Sequence, residues 1–200
     1  MKIKSKVKRI RKSYLFSAAV LVIVFLSPVL QALAINSFNE DILLLKSGML
    51  SLDPAAEFLW RNELPVRILD AAEGLNIPEN ARIDGKKIHK GAFLMAQIWV
   101  ESRFFPEARS RSNAQGLMQM KPSTAHLIAP QLNIEKKSTY YDVDENIRLG
   151  VTYMNDLLTE FKDLRRATLA YNIGPNGLKR GGKNEFYWTK IVKTYKLIVQ

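Results

Sequence analysis

From about residue 37 onward, apolar positions recur every three or four residues with polar side chains between them, a spacing that predicts helices rather than strands. The helical stretches run over about 37–50, 53–73 with a break at Pro65, 86–101, 122–129, 144–161, 163–173 and 184–198. In one of them Ile147, Val151, Met154, Leu157, Leu158 and Phe161 share a face. In another, Ile88, Ala92, Met95, Ile98 and Trp99 form an apolar stripe, and Glu101 follows Ile98 by three positions. Strand patterns are almost absent. The expected fold is therefore all-α with minimal β.

Between these helices the polar stretches carry breakers. Pro106 and the run Ser110 to Gly116 do not continue a helix easily, so an irregular loop should follow Glu101. Gly116 there permits a backbone conformation, or a close approach by a sugar, that a side chain would block. Leu117, Met118 and Met120 read as core, since methionine fills irregular gaps. Pro122 suits the first turn of a short helix, and Gly174-Pro175 stops the stretch that ends in Tyr171.

Glu101 carries the most specific chemistry. A carboxyl group with apolar walls is disfavoured as an anion, which raises its pKa and suits it to donate a proton near neutral pH. That is the requirement for cleaving a glycosidic bond. Around it the chain places Glu101-Ser102, then Ser110 to Asn113, Gly116-Leu117-Met118-Gln119, Asn146 to Gly150 with Tyr153, and Ala170-Tyr171-Asn172. In order and spacing these blocks resemble the lytic transglycosylases of bacterial cell walls, whose catalytic domain is similar to goose-type lysozyme. The resemblance covers about residues 85 to 182.

It implies a lysozyme-like helical domain with a substrate groove, formed by residues 85–200. It also implies a reaction on peptidoglycan glycan strands: scission of the β-1,4 bond between N-acetylmuramic acid and N-acetylglucosamine, leaving 1,6-anhydro ends, with no cofactor and no metal. Glu101 would be catalytic. Ser102 and Ser110 would orient the acid or the substrate, Gln119 would bind sugar through its donor and acceptor, and Tyr171 with Asn172 would form the opposite wall. Two readings compete with this one: a hydrolytic lysozyme on the same fold, and a wall-binding assembly protein of a secretion, conjugation or phage apparatus. The chain departs from the family at Asn113, where glycine is frequent, and at Lys121, where an apolar residue is common. Asparagine tolerates a left-handed backbone, so the loop should form. Lys121 either meets a carboxylate of the substrate or points to solvent, the second being the default for a lysine.

No second carboxylate is evident. Glu107, Asp142, Asp144 and Glu145 lie in polar stretches where a solvated or helix-start role is expected. His89 and His126 have no partners at metal-ligand spacing and read as structural or exposed.

With 200 residues and no cysteine, the chain has room for one domain and a short extension, without disulfides or thiolate metal sites. The net charge of +11 would suggest nucleic acid as a partner. Seven of the thirty basic residues, however, lie in the first twelve positions, leaving 23 basic against 19 acidic residues from Ile35 onward. That excess suits an anionic wall or membrane better than a nucleic-acid groove. The basic cluster precedes an apolar run from Tyr14 to Leu26, then Ser27-Pro28 and Ala32-Leu33-Ala34. Residues 1–34 thus read as a signal peptide cleaved after Ala34, or as a retained membrane anchor. Either directs the rest of the chain to the periplasm or the outer face of the cytoplasmic membrane. Residues 35–84 match no motif and read as a helical lead-in that packs on the domain, or as an arm that recruits a cell-envelope assembly partner.

Overall fold

The computed structural model describes residues 28–55 and 63–200. They fold into α1 (Pro28–Leu52), α2 (Leu64–Glu73), a hairpin of β1 (Arg82–Ile83) and β2 (Lys86–Lys87), and α3 (Lys90–Ser102). There follow α4 (Pro122–Ile128) with a 3-10 turn (Ala129–Leu132), α5 (Val143–Phe161), α6 (Leu164–Ile173), α7 (Pro175–Lys179) and α8 (Glu185–Ile198). The all-α expectation with minimal β holds.

Ile42–Gln200 forms one compact unit. At its centre lies α3, buried from Gly91 to Ile98 and packed between α2 and α8. On another side α5 packs against α6 and α2. Leu45, Met49, Leu64, Ile68 and Leu75 join the same core, so residues ahead of the hairpin share it with those behind. Gly48 lets α1 close onto α8, since a Cβ there would lie 2.7 Å from the Ile198 side chain. Arg67 of α2 holds Asp144 at 2.7 Å, and Asn155 of α5 donates to the Gly74 carbonyl at 2.7 Å, capping α2.

Of the other unit, Met1–Asp41, the described part is the start of α1, where Leu30, Leu33, Ile35 and Phe38 are exposed. The basic cluster and the apolar run of the proposed leader lie outside the described residues. Among the described residues no helix is long and apolar enough to cross a membrane.

Several boundaries differ from the predicted ones. α1 begins at Pro28, not near 37, and Ala32-Leu33-Ala34 lies inside it. Pro28 is the first residue of α1, a position where proline's missing N–H costs nothing. Pro65 stands in the first turn of α2 instead of interrupting a longer helix, and Asp53 to Ala55 have already left α1. Lys86 and Lys87 are strand, not helix. Asp84 (φ 50°) and Gly85 (φ 75°) form a two-residue turn of the kind that closes tight hairpins. His89 then caps α3, its Nδ1 accepting from the Ala92 N–H at 3.0 Å. That histidine is structural, as is His126, whose Nε2 bonds the Lys137 carbonyl oxygen at 2.8 Å.

Candidate active site

Glu101 occupies the last turn of α3, just beyond its buried run from Gly91 to Ile98. Directly beyond Ser102, Arg103 and Phe104 both take left-handed backbone, with φ 55° and 61°, and turn the chain sharply away. Such residues are strained, and the packing here over-determines them. Phe104 is fully buried with its ring 5.0 Å from that of Trp99, and the Arg103 guanidinium lies over the same indole at 4.4 Å. The end of α3 is thereby clamped, and the acid with it.

Glu101 opens onto a cavity of about 350 Å³ lined also by Ser110, Ser112, Gln119, Lys121, Thr124, Tyr153, Tyr171 and Asn172. Only an edge of the side chain is exposed there; protein surrounds the rest, and this burial raises its pKa from 4.5 to about 7. Opposing that rise is one hydrogen bond, donated by the Tyr187 hydroxyl of α8 to Glu101 Oε1. With Oε1 engaged as an acceptor, Oε2 is left to carry the proton. Among the described residues that line the cavity, Glu101 is the sole carboxylate. Asp142 instead caps α5, accepting from the Glu145 N–H, while Asp144 pairs with Arg67 and Glu145 with Lys137.

The loop opposite is fixed from α5. Asn146, fully buried, donates from Nδ2 to the carbonyls of Gln115 (2.9 Å) and Tyr140 (2.7 Å) and accepts from the Met118 N–H (2.7 Å). Every polar capacity it uses is spent on backbone that would otherwise be orphaned. Gly116 (φ 75°) is required by this anchor and not by a sugar, since a Cβ would lie 2.3 Å from Asn146 Nδ2. Gly150 likewise admits Met118, whose Cβ would otherwise be 2.7 Å away. The Asn113 backbone adopts the left-handed form, φ 61°.

The structure brings five of the six residues singled out in sequence together around the cavity: Glu101, Ser110, Gln119, Tyr171 and Asn172. Ser102 is not among the lining residues. It is buried, and its Oγ donates to the Ile98 carbonyl at 3.1 Å. Ser110 Oγ accepts from the Ala114 N–H at 3.0 Å and bonds Ser112 Oγ at 3.1 Å. Gln119 spends its Nε2 on the Ala108 and Gly116 carbonyls, leaving Oε1 without a protein partner among the described residues. Tyr171 holds its hydroxyl on the Met118 carbonyl at 2.9 Å and sets its ring at a 49° tilt to that of Tyr153, centroids 5.2 Å apart. Asn172 accepts from Asn184 Nδ2 at 2.6 Å. Lys121 lines the cavity, exposed and with no ion-pair partner among the described residues.

The phenol on the acid is Tyr187's, and sequence reasoning missed it. One signal was available: Tyr187, Ile191, Tyr195 and Ile198 form the buried stripe of α8. A phenol on such a stripe needs a polar partner. The Arg165–Glu185 pair (2.6 Å) and the Asn184–Asn172 bond fix the start of α8 to α6, which sets Tyr187 in place.

The sequence profile of the transglycosylase SLT domain matches residues 81–192. The chain belongs to this family. Membrane-bound lytic murein transglycosylase E of Buchnera aphidicola is 38% identical over 92 residues, covering 40% of this chain and 42% of that protein. The soluble lytic murein transglycosylase of Escherichia coli K12 is 31% identical over 99 residues, 48% of this chain and 15% of that one. Among solved structures, an inactive mutant of lytic transglycosylase Slt from Pseudomonas aeruginosa superposes with a TM-score of 0.46 and 26% identity, over 67% of this chain and 21% of that chain. The match thus spans less than half the length of each of these SLT-domain relatives.

Proposed function

We propose that the chain is a peptidoglycan lytic transglycosylase with Glu101 as its one acid and base. The observation that carries this reading is a buried carboxyl, its pKa raised to about 7, that is the sole carboxylate among the described residues lining its cavity. A glycosidase that admits water pairs its acid with a second carboxylate, roughly 5 to 9.5 Å away. A cavity with one carboxyl suits a reaction whose nucleophile comes from the substrate.

In that reaction the Oε2 proton of Glu101 passes to the oxygen linking N-acetylmuramic acid C1 to N-acetylglucosamine, and the C1–O bond breaks. The substrate's 2-acetamido group supports the positive charge at C1. Ionised Glu101 then takes the proton of the C6 hydroxyl as O6 bonds to C1, which restores the acid and leaves a 1,6-anhydro ring without consuming water. Because the attack is intramolecular, no base is needed to position a water. Tyr187 holds the carboxyl by Oε1 throughout. Gln119 Oε1 is placed to accept from a sugar N–H or O–H, with Ser110 and Asn172 at the cavity edge.

The same reading assigns residues 1–34 to a signal peptide or membrane anchor, residues 35–84 to a helical lead-in open to an envelope partner, and residues 85–200 to catalysis. It places the enzyme in the periplasm or on the outer face of the cytoplasmic membrane. The test is Glu101→Gln on purified murein. Loss of the general acid should slow release of soluble fragments by about a hundredfold to ten-thousandfold. Release at the wild-type rate would contradict the assignment.

A further inference from the structure

Gln97 lies on α3 one turn before Glu101, at 1% exposure, and neither its Nε2 nor its Oε1 has a hydrogen-bond partner. A buried carboxamide without partners costs the desolvation of both groups, and native proteins keep few of them. This one is the only such side chain among the described residues, and it stands in the core beneath the acid. Every other buried polar side chain near the cavity has a structural duty: Asn146 and Gln115 hold the loop, and Ser102 bonds its own helix. Gln97 precedes Glu101 by four residues, so the two side chains leave the same face of α3, the helix packed on α8, whose Tyr187 hydroxyl already reaches Glu101; an amide N–H from Gln97 favours the ionised form of that phenol.

A phenolic hydroxyl is a rotor: its proton swings between in-plane directions, and only one of them meets Glu101. An N–H aimed at the phenol oxygen occupies a lone pair and sends the hydroxyl proton the other way. It also polarises the O–H, so that the bond to an anionic carboxylate strengthens. We propose that Gln97 is a positioning residue: its Nε2–H donates to the Tyr187 oxygen and so directs the Tyr187 hydroxyl onto Glu101 Oε1. The bond forms in the free enzyme by a small rotation of the Gln97 side chain, since site hydrogen bonds in a free enzyme are commonly long or poorly aligned in a static structure. The inference rests on Glu101 being the acid of the proposed reaction.

The chain Gln97–Tyr187–Glu101 favours the ionised carboxylate, the state that must accept the C6 hydroxyl proton. The titratable groups facing Glu101 are Tyr187 from α8 and Tyr171 from α6, both held well above the ordinary phenol range by burial first and by the carboxylate second. Lys121 borders the same cavity. Removing the Gln97 amide should therefore raise the Glu101 titration midpoint, and should do so only through the phenol.

The test is a carbon-13 NMR titration of the Glu101 carboxyl, assigned by its absence in Glu101→Gln, in four proteins: wild type, Gln97→Met, Tyr187→Phe and the double variant. The midpoint should move up by several tenths of a pH unit in Gln97→Met, and the same change should have no effect when Tyr187 is already Phe. An unmoved midpoint in Gln97→Met, or an equal movement in both backgrounds, would overturn the proposal. Gln97→Asn, which keeps the amide but withdraws it by one methylene, should shift the midpoint as Gln97→Met does and serves if methionine disrupts folding. No substrate enters the titration. A failure of murein cleavage by the wild type would sink the transglycosylase reading and leave this result standing by itself.

Discussion

Holding Glu101 protonated has a thermodynamic cost that Glu101→Gln should expose. Burial lifts the carboxyl from 4.5 to about 7, while in the unfolded chain it titrates at its ordinary value. Below 4.5 the group is neutral in both states and contributes no penalty. As pH rises through this window, the unfolded state releases its proton first, so stability falls with pH until the folded carboxyl has also ionised, above about 7. At about 1.4 kcal/mol per pH unit, the loss over the whole window is about 3 kcal/mol. Glutamine has nearly the same shape and no charge. The variant should therefore match the wild type below the window and exceed it by about 2 to 3 kcal/mol above it, the lower figure allowing for screening at the exposed edge. In thermal unfolding that is roughly 5 to 10 °C. Urea and thermal unfolding of both proteins across the window measure the difference directly. A gap that stays constant with pH, or one that favours the wild type at high pH, would refute the claim that the fold holds this carboxyl as an acid.

Tyr187→Phe keeps the ring and removes the donor to Glu101; murein cleavage should slow by about tenfold to a hundredfold, the worth of a hydrogen bond to a charged group. The alkaline limb of its pH–rate profile should move to higher pH, because the bond lowers the Glu101 pKa. Gly116→Ala drives a Cβ into the Asn146 amide at a positive φ and should cost about 2 to 4 kcal/mol in unfolding measurements, with cleavage lost as the loop shifts. Lys121→Met removes from the cavity wall a cation with no ion-pair partner among the described residues; affinity for glycan strands bearing free lactyl carboxylates should fall by about fivefold at low salt, the worth of one exposed charge pair, and the difference should vanish at high salt.

What was legible in the sequence follows from the range of the interactions. The helix bearing Glu101 announces itself through local periodicity, and its burial follows from the apolar stripe. The Asp84-Gly85 hairpin was also locally written, since an Asp-Gly pair favours a turn with two positive φ values, but the helical spacing read from residue 86 obscured it. Gly116 was legible as special while its reason was not, because the side chain it makes room for is Asn146, on a helix that begins after a long loop. Tyr187 reaches Glu101 across 86 residues through the packing of α8 on α3, and no pattern within α8 names its partner. Ser102 illustrates the converse: its motif neighbour is the acid, yet a helix sends consecutive side chains in different directions, and its hydroxyl ends on the Ile98 carbonyl.

The central claim is that one buried carboxyl suffices because the substrate supplies its own nucleophile. Mass spectrometry of the soluble products released from purified murein by the full chain tests it most directly. The account predicts 1,6-anhydro-muropeptides, with no water gained on cleavage; products heavier by one water would contradict it and require a second group that activates water.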